Sequence, residues 1–393
     1  MSATPQQAPA ARKLILIVDD TPINIGVISG ALKDFYKTKV ATNGEKALAL
    51  AGAEEKPDLI LLDVMMPGMD GYEVCSRLKA DPSTREIPVI FLTGQTGAED
   101  ETRGFDVGAV DYVHKPFSPA VVKARVRSHI MLREARAQLA AQLLALNNEL
   151  EMARQIQLSI LPHSVPQVPG LDIAARFSPM TSVAGDFYDF IQVDDRHLGI
   201  LIADVSGHGL PSALIASMLQ VGLTGQAHHA ARPAEVLAGL NRALCGKFTC
   251  NFVTAAYVYL DLENQLMRYA GAGHPPVLQW RNSTGTTSKV LENGLVLGMF
   301  DDATYEALEL ILEPGDRHVL YTDGVVEAAN PAHEQFGTDR VMRFMESNKQ
   351  LGADEFADSF LAELSRWSGQ TIERGQQDDI TLLVVDFKGK TSP

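Results

Sequence analysis

Cysteines, positive charges and long hydrophobic runs are all scarce in this sequence of 393 residues. The three cysteines, Cys75, Cys245 and Cys250, are too few and too scattered for a disulfide framework. Cys245 and Cys250 could in principle bind zinc, but no second ligand pair accompanies them, so we expect ordinary core thiols. No apolar run approaches about 18 residues, the length of a membrane span, and the N-terminus lacks the apolar centre of a signal peptide. A cytoplasmic location is therefore expected.

The charge balance argues against two classes of partner. The chain has 34 basic and 49 acidic side chains, which gives a net charge of -15. A field of this sign repels phosphate backbones and anionic lipid headgroups, so we expect neither direct nucleic-acid binding nor membrane binding. The sequence also has no GxxxxGK or comparable glycine-rich loop, which disfavours a kinase or a nucleotide cyclase as the output.

The N-terminal part has the pattern of a parallel α/β sheet. From Leu14 to Pro116, five short apolar runs alternate with amphipathic segments, as in consecutive βαβ units whose sheet is covered on both faces. Between Pro119 and Pro162 follow 42 residues with neither Gly nor Pro, which predicts one long helix.

Apolar residues recur every seven positions along this predicted helix. The two series are Leu132, Leu139, Leu146, Ala153 and Ile160, and then Leu143, Leu150 and Gln157. This spacing is that of a two-stranded coiled coil, so we expect a homodimer formed through the helix. The alternative is a helix that lies back on its own domains.

Beyond Pro162 the pattern changes to strands grouped around helical blocks. The blocks follow Pro211 and Pro233, and another runs from Asp339 to about Gly369. This arrangement predicts an α+β domain with two mostly antiparallel sheets flanked by helices.

Acidic residues follow the apolar runs of the N-terminal part. Asp19 and Asp20 end the first run, Asp63 ends the third, and Lys115 follows the fifth. The carboxyl ends of parallel strands meet at one edge of the sheet, so these side chains should converge there. Clustered carboxylates favour a hard divalent cation, and we expect one Mg²⁺.

This region resembles a response-regulator receiver domain. The motifs that carry the resemblance are VDD, LLDVMMPGMDGYE, FLTG and DYVHKPF, over residues 13–133. The resemblance implies a doubly wound sheet of strand order 2-1-3-4-5, a cognate histidine kinase as partner, and Asp63 as the phosphoacceptor. It also implies that Asp19, Asp20 and Asp63 hold Mg²⁺ together with the Met65 carbonyl. Three further residues would form the switch, namely Thr93, Lys115 and Tyr112.

A second series of aspartates marks the C-terminal part. They are Asp186, Asp189, Asp204, Asp323, Asp378 and Asp379. Several stand at the ends of apolar strands, where an unpaired carboxylate costs stability, and no cluster of Arg or Lys accompanies them. Oxygen ligands select Mg²⁺ or Mn²⁺, and two such ions can activate water for an in-line attack on a phosphate.

These motifs resemble the metal-dependent (type 2C, PPM) serine/threonine protein phosphatases of the RsbU/SpoIIE branch. The series runs through ARQIQLSILP, VAGDFYD, ADVSGHGLPSAL, AGAGHPP, YTDGVVEAAN and DDITLLV, with Ala184 where the branch often has Gly. The resemblance implies two Mn²⁺ or Mg²⁺ ions held by Asp186, Asp204, Asp323, Asp378 and the Val205 carbonyl. Asp189 and Asp379 would support them. His208 and His274 would bind phosphate or protonate the leaving oxygen, or would be turn residues.

The expected organisation has five parts. They are a flexible N-terminus at 1–12, the receiver at 13–133, a helical linker at 119–161, the phosphatase at 162–388 and a flexible tail at 389–393. By resemblance, the substrate is a phosphorylated anti-anti-sigma protein of the STAS type in a partner-switching pathway, with phosphorylation at Asp63 regulating the output. The competing interpretation is a phosphorylation-gated adaptor that binds a sigma-factor regulator without catalysis.

Overall fold

The computed structural model describes residues 12–94, 98–116, 118–248, 250–369 and 378–389. The ends predicted to be flexible are residues 1–12 and 389–393. Of these, only residues 12 and 389 lie within the described ranges. The chain separates into two compact units, Met1–Leu144 and Ala145–Pro393.

The first unit is a parallel five-stranded sheet with the order β2-β1-β3-β4-β5, which confirms the predicted order. Its strands are β1 Leu14–Val18, β2 Lys37–Ala41, β3 Leu59–Asp63, β4 Val89–Thr93 and β5 Asp111–His114. Its first helices are α1 Pro22–Leu32, α2 Gly44–Ala51, α3 Gly71–Ala80 and α4 Ala98–Asp106. Every residue of β1, β3 and β4 is buried, because helices cover both faces of the sheet.

A glycine sets the end of β3 against the start of α3. The Asp70 carboxylate caps α3 by accepting a hydrogen bond from the Glu73 amide at 2.7 Å. A Cβ atom on Gly71 would lie only 2.3 Å from the carbonyl oxygen of Asp63, so no other residue fits without movement. This close approach fixes the backbone of Asp63 at the edge of the sheet.

The predicted long helix is confirmed as α5, Pro119–Ile160. In the first unit, α5 packs through Val122, Val126 and Ile130. Four of the predicted seam residues are exposed in the single chain, namely Leu132, Leu139, Leu143 and Leu146. The seam prediction is wrong at Gln157, which is buried inside the second unit.

The second unit contains two sheets, which confirms the predicted architecture. One has the order β13-β10-β9-β8-β7, with β14 also pairing β10, and the other has the order β12-β11-β15-β16-β6. Pairing is antiparallel except for the two-residue contact of β10 with β13. The strands are β6 Leu171–Ser178, β7 Phe187–Asp194, β8 His197–Val205, β9 Val253–Asp261, β10 Leu266–Ala272, β11 Val277–Arg281, β12 Thr286–Val290, β13 Asn293–Gly294, β14 Leu308–Ile311, β15 Arg317–Tyr321 and β16 Ile380–Phe387.

Helices flank both sheets. They are α6 Leu210–Gly225, α7 Pro233–Leu244, α8 Asp323–Glu327, α9 Thr338–Ser347 and α10 Ala353–Ser368. Helices α6 and α7 share a core with the first of the two sheets, and α9 and α10 share a core with the second. The single block predicted from Asp339 to Gly369 is therefore two helices, since the chain leaves the helical conformation between Asn348 and Gly352.

The cysteine prediction holds in part. Cys75 is a buried core thiol, but Cys245 is only half-buried and Cys250 is exposed, so the prediction is wrong for Cys250. Within the described ranges, no helix combines the length and the apolar character that crossing a membrane requires.

Candidate functional site

The acids of the first unit converge as predicted. Asp19 and Asp63 are buried, Asp20 is exposed, and carboxylate oxygens of the three lie within 4.8 Å of one another. Lys115 donates hydrogen bonds to Asp63 Oδ2 at 2.7 Å and to Asp19 Oδ2 at 2.9 Å. The cluster thus combines a cation of its own with oxygens that a hard divalent ion prefers.

Burial and charge act in opposite directions on this cluster. Burial, followed by the charge of Asp19, raises the pKa of Asp63, while Lys115 works against that rise. Burial alone would lower the pKa of Lys115, but its hydrogen bonds to the two carboxylates outweigh burial and raise it. Sequence analysis missed Asn24, whose side-chain amide lies 3.0 Å from both carboxylate oxygens of Asp19. Its position on the first turns of α1, just after the acids, was the available signal.

The predicted ligand Met65 and the predicted switch residues Thr93 and Tyr112 lie on or just after β3, β4 and β5. The Met65 amide is 3.4 Å from Asp63 Oδ1, and the Met65 side chain is exposed. Thr93 is buried at the end of β4, one residue beyond the partner of Asp63 in the sheet register. Tyr112 on β5 makes edge-to-face contacts with Phe105 and His114, at ring-centre distances of 5.8 and 5.1 Å.

The acids of the second unit come from separate elements. Asp186 precedes β7, Asp204 lies near the end of β8, Asp323 begins α8, and Asp378 and Asp379 precede β16. Burial, followed by the charges of Asp323, Asp378, Asp379 and Glu327, raises the pKa of Asp204 to about 7. Burial, followed by Asp378 and Glu327, raises the pKa of Asp323 to about 6. All of these neighbouring charges are negative, which favours divalent cations. Among the described residues, however, only Asp19, Asp20 and Asp63 have carboxylate oxygens within 4.8 Å of one another, so the acids of the second unit are more widely spaced than those of the first.

Hydrogen bonds hold two of these acids from behind. Asp186 is buried, and its Oδ2 accepts hydrogen bonds from the hydroxyls of Thr322 at 2.7 Å and Thr381 at 2.6 Å. Burial and the charge of Asp204 raise the pKa of Asp186 well above the ordinary value of a carboxyl group, although the two hydroxyl hydrogen bonds act in the opposite direction. Asp379 accepts hydrogen bonds from the amides of Met180 at 2.7 Å and Gly185 at 2.6 Å. Asp379 therefore orders the loop that carries Asp186. Sequence analysis did not identify Thr322, Thr381 or Glu327 as part of this site.

Two glycines allow the acid-bearing segments to approach each other. A Cβ atom on Gly185 would lie 2.8 Å from the carbonyl oxygen of Val205, and one on Gly324 would lie 2.0 Å from that of Asp379. Larger residues would push these segments apart. The glycines therefore bring the loop of Asp186 to Val205, and the start of α8 to Asp379.

Other predicted residues lie at the margin of this cluster or outside it. Asp189 on β7 lies opposite Leu201 on β8, and Leu201 is three residues before Asp204. The structure therefore does not bring Asp189 to the other acids. His208 is exposed in the turn after β8. His274 is 2% exposed, and its Nδ1 lies 2.9 Å from the hydroxyl of Thr254, which pairs with Asp204 across the sheet. Burial lowers the pKa of His274 to about 3, which favours the neutral form of its imidazole.

Ser206 belongs to the turn that follows β8, and its hydroxyl and carbonyl both accept hydrogen bonds from neighbouring residues. Its hydroxyl accepts a hydrogen bond from the Phe252 amide at 2.9 Å, and its carbonyl accepts one from Asn251 at 2.7 Å. Helix α6 begins four residues later, after Gly209, without a side-chain cap, so Ser206 does not cap it. Asp204, Ser206 and His208 therefore form no catalytic triad.

Comparison with known proteins agrees with this description. Residues 15–127 match the model of the response regulator receiver domain, and residues 194–388 match that of stage II sporulation protein E (SpoIIE). A probable cyclic di-GMP phosphodiesterase of Vibrio cholerae is 48% identical over 31% of this chain and 27% of its own length. The phosphoserine phosphatase RsbU of Bacillus subtilis is 34% identical over 62% of this chain and 71% of its own length.

A solved structure agrees with the second unit. The SiaA-PP2C domain of Pseudomonas aeruginosa superposes with a TM-score of 0.55 at 25% identity, over 63% of this chain and 99% of that domain. The fold and the acid cluster define a PP2C-type serine/threonine phosphatase domain that follows a receiver domain. The chain belongs to the family of RsbU and SpoIIE phosphatases.

Proposed function

We propose that this chain is a response regulator whose output is the metal-dependent removal of phosphate from phosphoserine or phosphothreonine. The proposed substrate is an anti-anti-sigma protein of the STAS type in a partner-switching pathway. One observation carries the proposal: among the residues that the structure describes, the side chains whose charges act most strongly on Asp204 and Asp323 are all carboxylates. RsbU, a phosphoserine phosphatase that is 34% identical over 62% of this chain, supports phosphoserine as the group that is hydrolysed.

The donor set assigns a task to each acid. Asp204, the Val205 carbonyl, Asp323 and Asp378 would hold two Mn²⁺ or Mg²⁺ ions. Asp186 would bind directly or through water. When bound, the two ions supply an activated water molecule and charge stabilisation for the in-line displacement of the serine oxygen from phosphorus.

The rest of the unit keeps these acids in place. The threonines at 322 and 381 fix Asp186, and Asp379 fixes the backbone before it. No serine nucleophile is needed, since a water molecule activated by the metal ions would attack phosphorus.

The receiver would control this output. A cognate histidine kinase would transfer a phosphoryl group to Asp63, as an Asp63 oxygen forms the new bond to phosphorus and the phosphohistidine P–N bond breaks. Lys115 would neutralise the added charge, and Thr93 and Tyr112 would move in response. One Mg²⁺ held by Asp19, Asp20, Asp63 and the Met65 carbonyl would supply further neutralisation.

The decisive experiment measures Mn²⁺-dependent phosphate release from a phosphoserine anti-anti-sigma protein. We expect release by the wild-type chain and loss of at least about 100-fold in Asp323→Asn, because substitutions of mere supporting residues already cost 10–100-fold. Asp302→Asn makes the same change at an exposed aspartate and should match the wild type. Absence of release from the wild type would favour the adaptor without catalysis.

The regulatory part has its own test. Phosphate release is measured with and without beryllofluoride, which mimics a phosphoryl group on Asp63. We expect two different rates, and Asp63→Asn should abolish the difference. Equal rates with and without the mimic would remove the regulatory part and leave the phosphatase activity standing.

A further inference from the structure

The last turns of α5 carry a glutamine that is buried inside the second unit. Gln157 is 7% exposed. Its Nε2 donates a hydrogen bond to the carbonyl oxygen of Ala184 at 2.7 Å, and its Oε1 accepts one from the amide of Ala184 at 3.0 Å. One side chain of α5 thus satisfies both backbone groups of a residue 27 positions away.

Ala184 opens the segment that carries a candidate metal ligand. We call residues 184–186 the acid loop. Within it, the Gly185 amide donates to Asp379 at 2.6 Å, and the Gly185 carbonyl accepts from the amide of Val205 at 3.3 Å. Asp186 is the next residue. The pair of bonds from Gln157 is therefore one residue away from the contacts that join the acid loop to two other metal-binding segments.

We propose that Gln157 is a positioning residue of the phosphatase site, through which α5 holds the acid loop in its active geometry. The inference rests on the proposed function. Gln157 does not touch substrate, so it is not a catalytic residue.

Burial makes this contact sensitive to the amide group itself. Ala184 is fully buried, so water does not replace a lost partner there. The contact also needs both halves of the amide, because Ala184 presents one donor and one acceptor. Displacing the last turn of α5 would displace the acid loop with it.

The test compares Gln157→Met, which keeps the length but loses both bonds, with Gln155→Met, an exposed glutamine two residues away on the same helix. Three quantities are measured on the full chain: kcat/KM for the phosphoserine substrate, the Mn²⁺ dissociation constant by calorimetry, and hydrogen exchange of the acid loop. We expect Gln157→Met to lose about 10–100-fold in both kcat/KM and Mn²⁺ affinity and to exchange faster. Gln155→Met should match the wild type. Wild-type values in a folded Gln157→Met would overturn the proposal.

Gln157→Glu gives a second readout. A protonated carboxyl group donates and accepts like the amide, whereas a carboxylate only accepts and would face the Ala184 carbonyl. The activity of Gln157→Glu relative to wild type should therefore fall as the pH rises. If titration shows that the carboxyl group introduced by this substitution ionises within the pH range tested, a constant ratio would overturn the inference, and this variant then decides the question if Gln157→Met fails to fold.

The two proposals can fail separately. If the wild-type chain neither binds Mn²⁺ nor releases phosphate, the proposed function fails, and the hydrogen exchange of the acid loop still tests the contact. In that case, faster exchange in Gln157→Met supports the positioning of the loop by α5, and unchanged exchange overturns it.

Discussion

In the first unit, Lys115 lies 2.7 Å from Asp63 and 2.9 Å from Asp19, whereas in the second unit the charges acting on Asp204 are other carboxylates. Both clusters gather aspartates at strand ends, where burial disfavours their charged forms. The receiver carries part of the compensating charge on its own chain. In the proposed function, the phosphatase cluster obtains that charge from bound metal, so we expect its function to depend more steeply on metal and on pH.

The largest expected effect comes from removing a proposed metal ligand in the second unit. Asp204→Asn should reduce Mn²⁺-dependent phosphate release by at least about 100-fold, because it removes both a ligand and the charge that attracts the metal. The measurement is the initial rate over a range of Mn²⁺ concentrations. Asp20→Asn in the receiver is the matched control. If both variants shifted the Mn²⁺ dependence equally, the contrast between the clusters would be wrong.

The second prediction concerns pH. The pKa values of Asp204, about 7, and Asp323, about 6, lie above those of the unfolded chain. Between about pH 4 and pH 7 the metal-free folded state therefore binds more protons than the unfolded state, and these groups destabilise the fold increasingly as the pH rises. We expect the melting temperature of the metal-free chain to rise as the pH is lowered from about 8 to about 6.

Bound Mn²⁺ should reverse this trend, because protons and metal compete for the same oxygens. Melting is followed by tryptophan fluorescence, since Trp280 and Trp367, the two tryptophans of the chain, both belong to the second unit. Asp323→Asn should reduce the slope of the melting temperature against pH in the metal-free chain. An unchanged slope in this variant would show that other groups cause it.

The two clusters also differ in how far sequence alone predicts them. In the receiver, each acid follows a short apolar run, and a parallel sheet brings the ends of its strands to one edge. The strand order and the convergence of Asp19, Asp63 and Lys115 follow from that pattern and are confirmed. Asn24 was missed because its contact depends on the orientation of the first turns of α1.

In the phosphatase, the acids could be named from their motifs, but the residues that hold them could not. Thr322 and Thr381 lie 136 and 195 positions from Asp186, and such distant partners have no periodic signal. Gln157 gave a misleading signal, because its heptad position predicted an exposed seam while tertiary packing buries it against Ala184. Periodicity reports which face of a helix is apolar and does not report which neighbour covers it.

The smallest expected effect comes from removing Lys115, the cationic residue that the receiver places beside its own carboxylates. Lys115→Met leaves Asp63 and Asp19 without their shared partner, so we expect the first unit to lose about 1–3 kcal/mol of stability at neutral pH. Mg²⁺ should restore more stability to this variant than to the wild type, because a divalent cation replaces the missing charge. Hydrogen exchange of peptides from β1 and β3 in the full chain measures both effects. Lys13→Met is the control, since Lys13 pairs with Asp58 and Glu134 at the surface, where ion pairs contribute about 0–1 kcal/mol. Equal losses in the two lysine variants, or no added protection from Mg²⁺, would show that Lys115 does not neutralise this cluster.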